Sequence, residues 1–198
     1  MKKPLKKSKT LFQLNEFFST NKARELVGID EAGRGALAGP MMMAACKLKC
    51  ELPKLMDSKK LSEKKREEFY KLITCNSEFL ILAFSNEQID NLGLSLCLKK
   101  GLEIIKAHFK HSTFLYDGNT NFGVSEIRTL VKADSLVKEV SAASILAKVS
   151  RDRVMKYLAK TFSCYEFEKH KAYGTKRHKE LITKFGVCEI HRKSFKLL

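Results

Sequence analysis

The chain has 198 residues, and its 38 Lys plus Arg stand against 22 Asp plus Glu for a formal net charge of +16. That length suits one ordinary domain with a real core, and that charge suits a partner that is a polyanion, nucleic acid first and an anionic membrane surface second. Six cysteines without a single C-x-x-C pair exclude a zinc-finger framework and fit free thiols in a reducing cytosol.

Residues 1–20 are a basic tail (Lys2, Lys3, Lys6, Lys7, Lys9) followed by a short amphipathic piece. It reads either as an arm that adds to nucleic-acid affinity or as a plain solvated tail. Met1-Lys2-Lys3 resembles the opening of a signal peptide, but Gln13, Asn15 and Glu16 break the apolar run that would follow. No apolar run approaches a membrane span, so a soluble, cytoplasmic protein without a membrane partner is expected.

Leu26, Val27 and Ile29 predict a first strand that ends on two adjacent carboxylates, Asp30 and Glu31, before the loop Gly33-Arg34-Gly35-Ala36-Leu37-Ala38-Gly39-Pro40. Neighbours on a strand point to opposite faces. The two carboxylates share a site only if the chain turns there, which Gly33 and Gly35 permit. Met41 to Leu48 predicts a second strand buried on both faces. After a connection containing Pro53 comes Asp57-Ser58-Lys59-Lys60-Leu61, then a helix capped by Ser62, with Glu63 near its positive end. Leu61, Phe69, Leu72 and Ile73 supply its expected apolar face.

Phe79 to Phe84 is a continuous apolar strand of the kind found in the middle of a covered sheet. Asn86 is expected to cap a short helical turn, and a longer helix to run from about Leu94 to Phe109. Thr113 to Asp117 reads as a strand ending in a carboxylate, and Ile127 to Val131 as a short strand followed by Lys132-Ala133-Asp134. The longest helix is expected from about Lys138 to Phe162; its first half is built of small residues (Ser141, Ala142, Ala143, Ser144, Ala147), suited to close packing. From about residue 165 to 198 runs a basic extension with one further helix, Lys176 to Phe185, stopped at Gly186. With no internal repeat and no low-complexity linker, residues 1–198 read as one α/β domain with a central mixed sheet flanked by helices.

Three strand ends therefore carry carboxylates: Asp30 with Glu31, Asp117, and Asp134. Gathering them costs several kcal/mol of repulsion unless cations share the site, so within a chain of net charge +16 an acidic cluster points to divalent metal. Two Mg²⁺ ions roughly 4 Å apart activate water and stabilise the leaving oxygen of a phosphodiester. Exposed amides and an arginine beside them suit a phosphate backbone. Taken singly, Asp at a strand end is also common turn chemistry.

The segments Gly28-Ile29-Asp30-Glu31-Ala32-Gly33-Arg34-Gly35, Asp57-Ser58-Lys59-Lys60-Leu61, Asp117-Gly118-Asn119, Lys132-Ala133-Asp134-Ser135 and Glu139 to Lys148 resemble bacterial ribonuclease HII. So do Phe167 to Thr175 and Ile190 to Phe195, in order and over about residues 26 to 195. The sister ribonuclease HIII family fits less well, because it usually replaces the Gly-Arg-Gly and carries an extra N-terminal domain. The resemblance implies an RNase H-like fold with a C-terminal helical extension. It also implies hydrolysis of the RNA strand of RNA–DNA hybrids and incision 5′ of single ribonucleotides in duplex DNA, leaving 3′-hydroxyl and 5′-phosphate ends. It implies Mg²⁺ or Mn²⁺ held by Asp30, Glu31, Asp117 and Asp134. Gly33, Arg34 and Gly35 would sense the ribose 2′-hydroxyl, and Tyr173 would pack at the RNA-to-DNA junction. The residues agree in kind, since the 2′-hydroxyl is what separates RNA from DNA, a glycine loop lets it approach, and an aromatic ring can press on a sugar or base.

Lys59 and Lys60 are candidate phosphate clamps, equally readable as a solvated pair. Lys169, His170, Lys171, Lys176, Arg177 and Lys179 surround Tyr173 with basic groups. His170 and His178 show no spacing that argues for zinc, and His191, Arg192 and Lys193 fit either DNA contact or anchoring of the tail. Ala36, Lys138 and Ala172 replace residues (proline, proline and glycine) common in the family. The expected protein is a monomeric ribonuclease H of the second type that removes ribonucleotides and RNA primers. The rivals are another two-metal nuclease or resolvase on the same fold, and a non-catalytic nucleic-acid-binding protein.

Overall fold

A computed structural model of the chain describes residues 25–52 and 61–198. Asp57, Ser58, Lys59, Lys60 and the N-terminal tail lie outside the described residues. The order is β1 (Leu26–Ala32), β2 (Met41–Leu48), α1 (Glu63–Cys75), β3 (Ser77–Phe84), α2 (Asn86–Leu92), α3 (Leu94–His108), β4 (Thr113–Asp117), β5 (Ile127–Leu130), α4 (Lys138–Thr161), α5 (Phe167–His170) and α6 (Lys176–Phe185). One-turn 3₁₀ helices at Ala133–Ser135 and Ser163–Tyr165 flank α4.

Among the described residues five strands form one mixed sheet in the order β3-β2-β1-β4-β5. The β1–β2 and β2–β3 pairs are antiparallel, while β1–β4 and β4–β5 are parallel. This is the expected α/β arrangement, a central mixed sheet with helices on both faces. On one face Val27, Ile29 and Met43 pack against Cys97, Leu98, Leu102 and Ile105 of α3. On the other, Ala44 and Cys46 pack against Ala142, Ala143, Ile145 and Leu146 of α4 and Ile73 of α1. Met41 to Cys46 are accordingly buried throughout, as a strand covered on both faces must be.

The β3 strand departs from expectation. Its unbroken apolar run suggested the middle of the sheet, yet it is an edge strand. Leu80 and Leu82 pack on one core and Phe79 and Ile81 on the other, so two covered faces explain the sequence of a strand that pairs, among the described residues, along one edge only. Two smaller corrections concern helix ends and faces. Ser85, not Asn86, caps α2; it accepts from Gln88 N–H while the Gln88 side chain returns a bond to the Ser85 N–H, a reciprocal capping box. Leu72, expected on the apolar face of α1, is exposed, whereas Ile73 is buried.

The short side chains at the start of α4 decide how near it comes to the sheet. A Cβ added at Gly28 of β1 would lie 2.2 Å from the main-chain nitrogen of Val140, so helix and strand touch backbone to backbone. That approach carries the face of α4 bearing Ser144 and Lys148 to the ends of β1 and β4. Past α4, Met155, Ala159, Tyr165, Phe167, Ala172 and Leu181 form a separate apolar cluster that seats the C-terminal extension. No helix among the described residues is long and apolar enough to cross a membrane.

Candidate active site

Parallel pairing does the first part of the assembly. Ile29 lies opposite Tyr116, so the next residues along, Asp30 and Asp117, lie side by side on adjacent parallel strands, toward the C-terminal ends where open α/β sheets form their crevices. Asp134 arrives from the 3₁₀ turn after β5 rather than from a strand end. The Ala133 N–H donates to Asp117 Oδ1 at 3.2 Å and ties that turn to β4. One oxygen from each of Asp30, Asp117 and Asp134 lies within 4.8 Å of the others.

Glu31 is placed differently from its neighbour. The chain does not turn after Asp30; β1 continues to Ala32, and alternation leaves Glu31 on the sheet face of Ile29. There it accepts a 2.6 Å hydrogen bond from the Tyr116 hydroxyl and pairs with Arg34 at 3.6 Å. It reaches the same cleft from the other side of the strand, close enough for the Asp117 charge to act on it.

Electrostatics mark this spot as strained. Burial, followed by the charges of Glu31 and Asp117, pushes the Asp30 carboxyl well above the usual carboxylate range, against hydrogen bonds from Ser144 and the Glu31 N–H. Burial also raises Glu31, opposed by the Tyr116 hydroxyl and Arg34. Three clustered carboxylates are comfortable only when protonated or when a cation shares their oxygens. Hard oxygen donors at an open cleft of about 400 Å³ are the set that Mg²⁺ or Mn²⁺ takes. Arg66, Ser144, Lys148 and Tyr173 complete the walls of that cleft.

The glycine loop lies beside it, held from within. Gly33 has φ +87°, and a Cβ there would fall 2.0 Å from Arg151 Nε, so both conformation and space demand glycine. Its N–H donates to the Tyr173 hydroxyl at 3.2 Å, which joins two of the expected substrate contacts to each other. Gly35, by contrast, has open space around it and offers bare backbone to solvent. The half-exposed Arg34 guanidinium sits between Glu31 and the Phe122 ring, 5.8 Å from the ring centroid.

Two buried arginines fasten this loop, Arg151, which the sequence did not single out, and Arg192, for which it left anchoring of the tail open. Arg151 donates to the carbonyls of Pro40, Ala38 and Lys171 at 2.9, 3.2 and 2.9 Å. Arg192 donates to those of Gly39 and Arg34 at 3.1 and 3.0 Å. Burial, then the Arg151 charge, brings the Arg192 guanidinium down to about 10, still cationic at neutral pH. Main-chain bonds from Leu37 N–H to Ala172 and from Arg192 N–H to Leu37, both 2.8 Å, stitch the loop to the C-terminal extension. Thus His191 and Arg192 anchor the tail from inside, being fully buried, and the Lys193 N–H is held by Asp90 of α2 at 2.9 Å.

Part of the basic surround of Tyr173 is likewise occupied. Lys169 and Arg177 both pair with Glu166, and Lys171 is buried. Among the described residues the cations that line the cleft are Arg66 and Lys148, whose Nζ also lies 2.7 Å from Asp152. Lys148 had a sequence signal, since four residues after Ser144 it shares that helix face; Arg66 had none.

Residues 27–198 match the sequence model of a family described as Ribonuclease HII. The chain is 69% identical over 191 residues to a Ribonuclease HII of Campylobacter jejuni subsp. jejuni serotype O:23/36 (strain 81-176), covering 96% of this chain and all of that relative. Identity is 52% over 177 residues to a Ribonuclease HII of Sulfurovum sp. (strain NBC37-1), across 89% and 94% of the two chains. Among solved structures, the RNase HII of the PCNA:RNase HII complex from Archaeoglobus fulgidus superposes with a TM-score of 0.75 at 28% identity, covering 88% of this chain and 96% of that one. Bst-RNase HIII in complex with Mn²⁺ shares the fold, with a TM-score of 0.67 at 18% identity over 88% of this chain and 68% of that one.

Proposed function

The chain belongs to the ribonuclease HII family, metal-dependent hydrolases that cleave RNA in RNA–DNA hybrids and remove ribonucleotides from DNA, and from that membership we propose what each part of the cleft does. The observation that carries the reading is the convergence of Asp30, Asp117 and Asp134 within 4.8 Å in a chain of net charge +16. These three carboxylates are the proposed ligands of Mg²⁺ or Mn²⁺, with Glu31 as the fourth catalytic carboxylate, approaching from the far face of β1 and oriented by Tyr116. A Mn²⁺-bound neighbour of the same fold supports the choice of ions. Bound in pairs, such ions supply an activated water and neutralise charge on the phosphodiester.

The chain's own groups do the rest. Arg66 and Lys148 are placed to take phosphate oxygens along the cleft wall, and Lys59 and Lys60 are proposed as a further phosphate clamp. Gly35 and Arg34 present an amide and a cation to the ribose 2′-hydroxyl, over a turn set by Gly33. Tyr173, its hydroxyl fixed by the Gly33 N–H, offers its ring to the sugar at the RNA-to-DNA junction. The proposed product ends are a 3′-hydroxyl and a 5′-phosphate, the cut falling 5′ of a lone ribonucleotide. We take residues 1–198 as one monomeric, cytoplasmic catalytic unit, with residues from about 165 as its substrate-binding extension.

The test is cleavage of an end-labelled RNA–DNA hybrid with Mg²⁺, Mn²⁺ or EDTA, by the native chain and by Asp134→Asn. Metal-dependent scission of the RNA strand, reduced by more than roughly 100-fold in the variant, supports the reading. Cleavage that persists in EDTA or in the variant refutes it.

A further inference from the structure

Beneath Tyr173 the C-terminal extension holds two fully buried imidazoles that take no part in the cleft, His178 and His191. Their Nε2 atoms lie 3.2 Å apart, a separation at which one must donate and the other accept. The neighbours fix the direction. The Cys188 main-chain N–H donates to His191 Nδ1 at 2.9 Å, so that nitrogen is the acceptor and the ring proton resides on Nε2. His191 then donates to His178 Nε2. His178 must carry its own proton on Nδ1, which faces the main-chain carbonyl of Tyr173 at 3.2 Å. The chain runs one way, from Cys188 through two rings to the backbone of Tyr173.

That backbone needs holding. Lys171 and Ala172, just before the tyrosine, adopt φ of +51° and +63°, a left-handed conformation that strains residues other than glycine. Arg151 grips the Lys171 carbonyl, and the histidine chain grips the next carbonyl but one. The rings are set in an aromatic box: Phe167 stands edge-on to His178 with centroids 5.5 Å apart, and Tyr165 edge-on to His191 at 5.1 Å. The titratable groups that face the pair are His170, stacked on His178 at 4.6 Å, and the Cys188 thiol, 3.1 Å from His191 Nδ1. Glu166, Glu168 and Lys171 act on His170, one ring further out. Burial pushes His178 down to about 4, helped by the charges of His170 and His191, and pushes His191 down too. Both rings are therefore neutral at pH 7, the state that a one-way chain requires; a second proton would set two N–H groups against each other.

We infer that His191 and His178 are positioning residues for Tyr173: two neutral imidazoles in a directional hydrogen-bond chain that fix its main chain and thereby the meeting of its hydroxyl with the Gly33 N–H. The inference rests on the proposed role of Tyr173 as a substrate contact, so its test has one arm that needs no substrate.

Long-range ¹H–¹⁵N spectra of the full chain at pH 7 read the tautomers directly. The expected result is His178 protonated on Nδ1 and His191 protonated on Nε2; the reverse pair, or an imidazolium at either position, overturns the chain. The second arm compares His178→Asn, which keeps an N–H donor near the Nδ1 position, with His178→Leu, which removes it. On a duplex with one ribonucleotide, His178→Leu is expected to raise KM roughly ten- to a hundredfold, as misplacement of a contact group does. His178→Asn should restore most of that loss although both variants melt lower than the native chain, and the KM effect of His178→Leu should vanish in a Tyr173→Ala background. Equal KM for both variants, with activity following melting temperature alone, overturns the positioning role. A native chain that cleaves no ribonucleotide substrate counts against the proposed function instead, and the spectra then judge the histidine chain alone.

Discussion

Asp30 is buried beside two other aspartates, and its carboxyl is held well above the usual range by that burial and by negative neighbours. A residue kept at such a cost serves something other than stability. Asp30→Asn is therefore expected to divide the two properties. In EDTA it should unfold at a higher temperature than the native chain, by the equivalent of about 1 kcal/mol or more, while metal-dependent cleavage falls by at least roughly 100-fold. Melting curves and initial rates on the same preparation check both halves, and a variant that loses stability along with activity would count against the cluster as the metal site. Asp117 was legible because it ends an apolar run, and Asp30, Glu31 and Asp134 because each lies close after one. The separation of Asp30 from Glu31 was not, since nothing in Gly33-Arg34-Gly35 reveals that β1 persists to Ala32. What Arg151 and Arg192 hold was illegible for a different reason. Their partners are main-chain carbonyls, all but that of Lys171 more than a hundred residues away, and a carbonyl leaves no trace in sequence.

Helix α4 sets the distance between the acidic strand ends and the basic wall opposite, and Gly28 sets the distance between α4 and β1. Adding a methyl at Gly28 would place it 2.2 Å from the helix backbone, where no side-chain rotation relieves the clash. Gly28→Ala should cost about 3 kcal/mol or more, and any folded fraction should bind metal more weakly because Ser144 and Lys148 move with the helix. Denaturant unfolding followed by metal titration tests this; a stable variant of normal affinity would show that the close approach is dispensable. The small residues of α4 announced the close packing, and the glycine at 186 announced the end of α6. The edge position of β3 was hidden, because strands covered on both faces read alike wherever they lie in a sheet. The histidines of the extension give it an acid limb. A ring whose folded pKa lies near 4, below the ordinary 6.5, contributes stability that is full above about pH 6.5 and is lost as the pH falls toward 4. Melting temperature should drop across that window, less steeply in His178→Asn; identical slopes would remove the buried rings from the account.

Across the whole molecule a net charge of +16 accompanies an acidic cleft, so binding and chemistry are expected to use opposite signs of charge. Affinity should then be dominated by phosphate contacts. For the Asp117→Asn chain on duplex DNA, log affinity against log salt should fall with a slope steeper than about −4, at roughly −0.9 per phosphate neutralised. A slope near zero would mean that the charge is not used in binding. The sign of the partner was readable from composition alone, and the α/β class from the order of strands and helices. What composition could not supply was the stitching of the glycine loop to the C-terminal extension, made by main-chain bonds between Leu37, Ala172 and Arg192. The most direct measurement is incision of a DNA duplex carrying one ribonucleotide, run beside the same duplex without it, with Mg²⁺ and with EDTA, by the native chain and by Asp117→Asn. One metal-dependent cut on the 5′ side of the ribonucleotide, absent from the all-DNA duplex and from the variant, is the predicted result. Equal cutting of both duplexes, or none of either with Mg²⁺ or Mn²⁺, would contradict the assignment of this cleft.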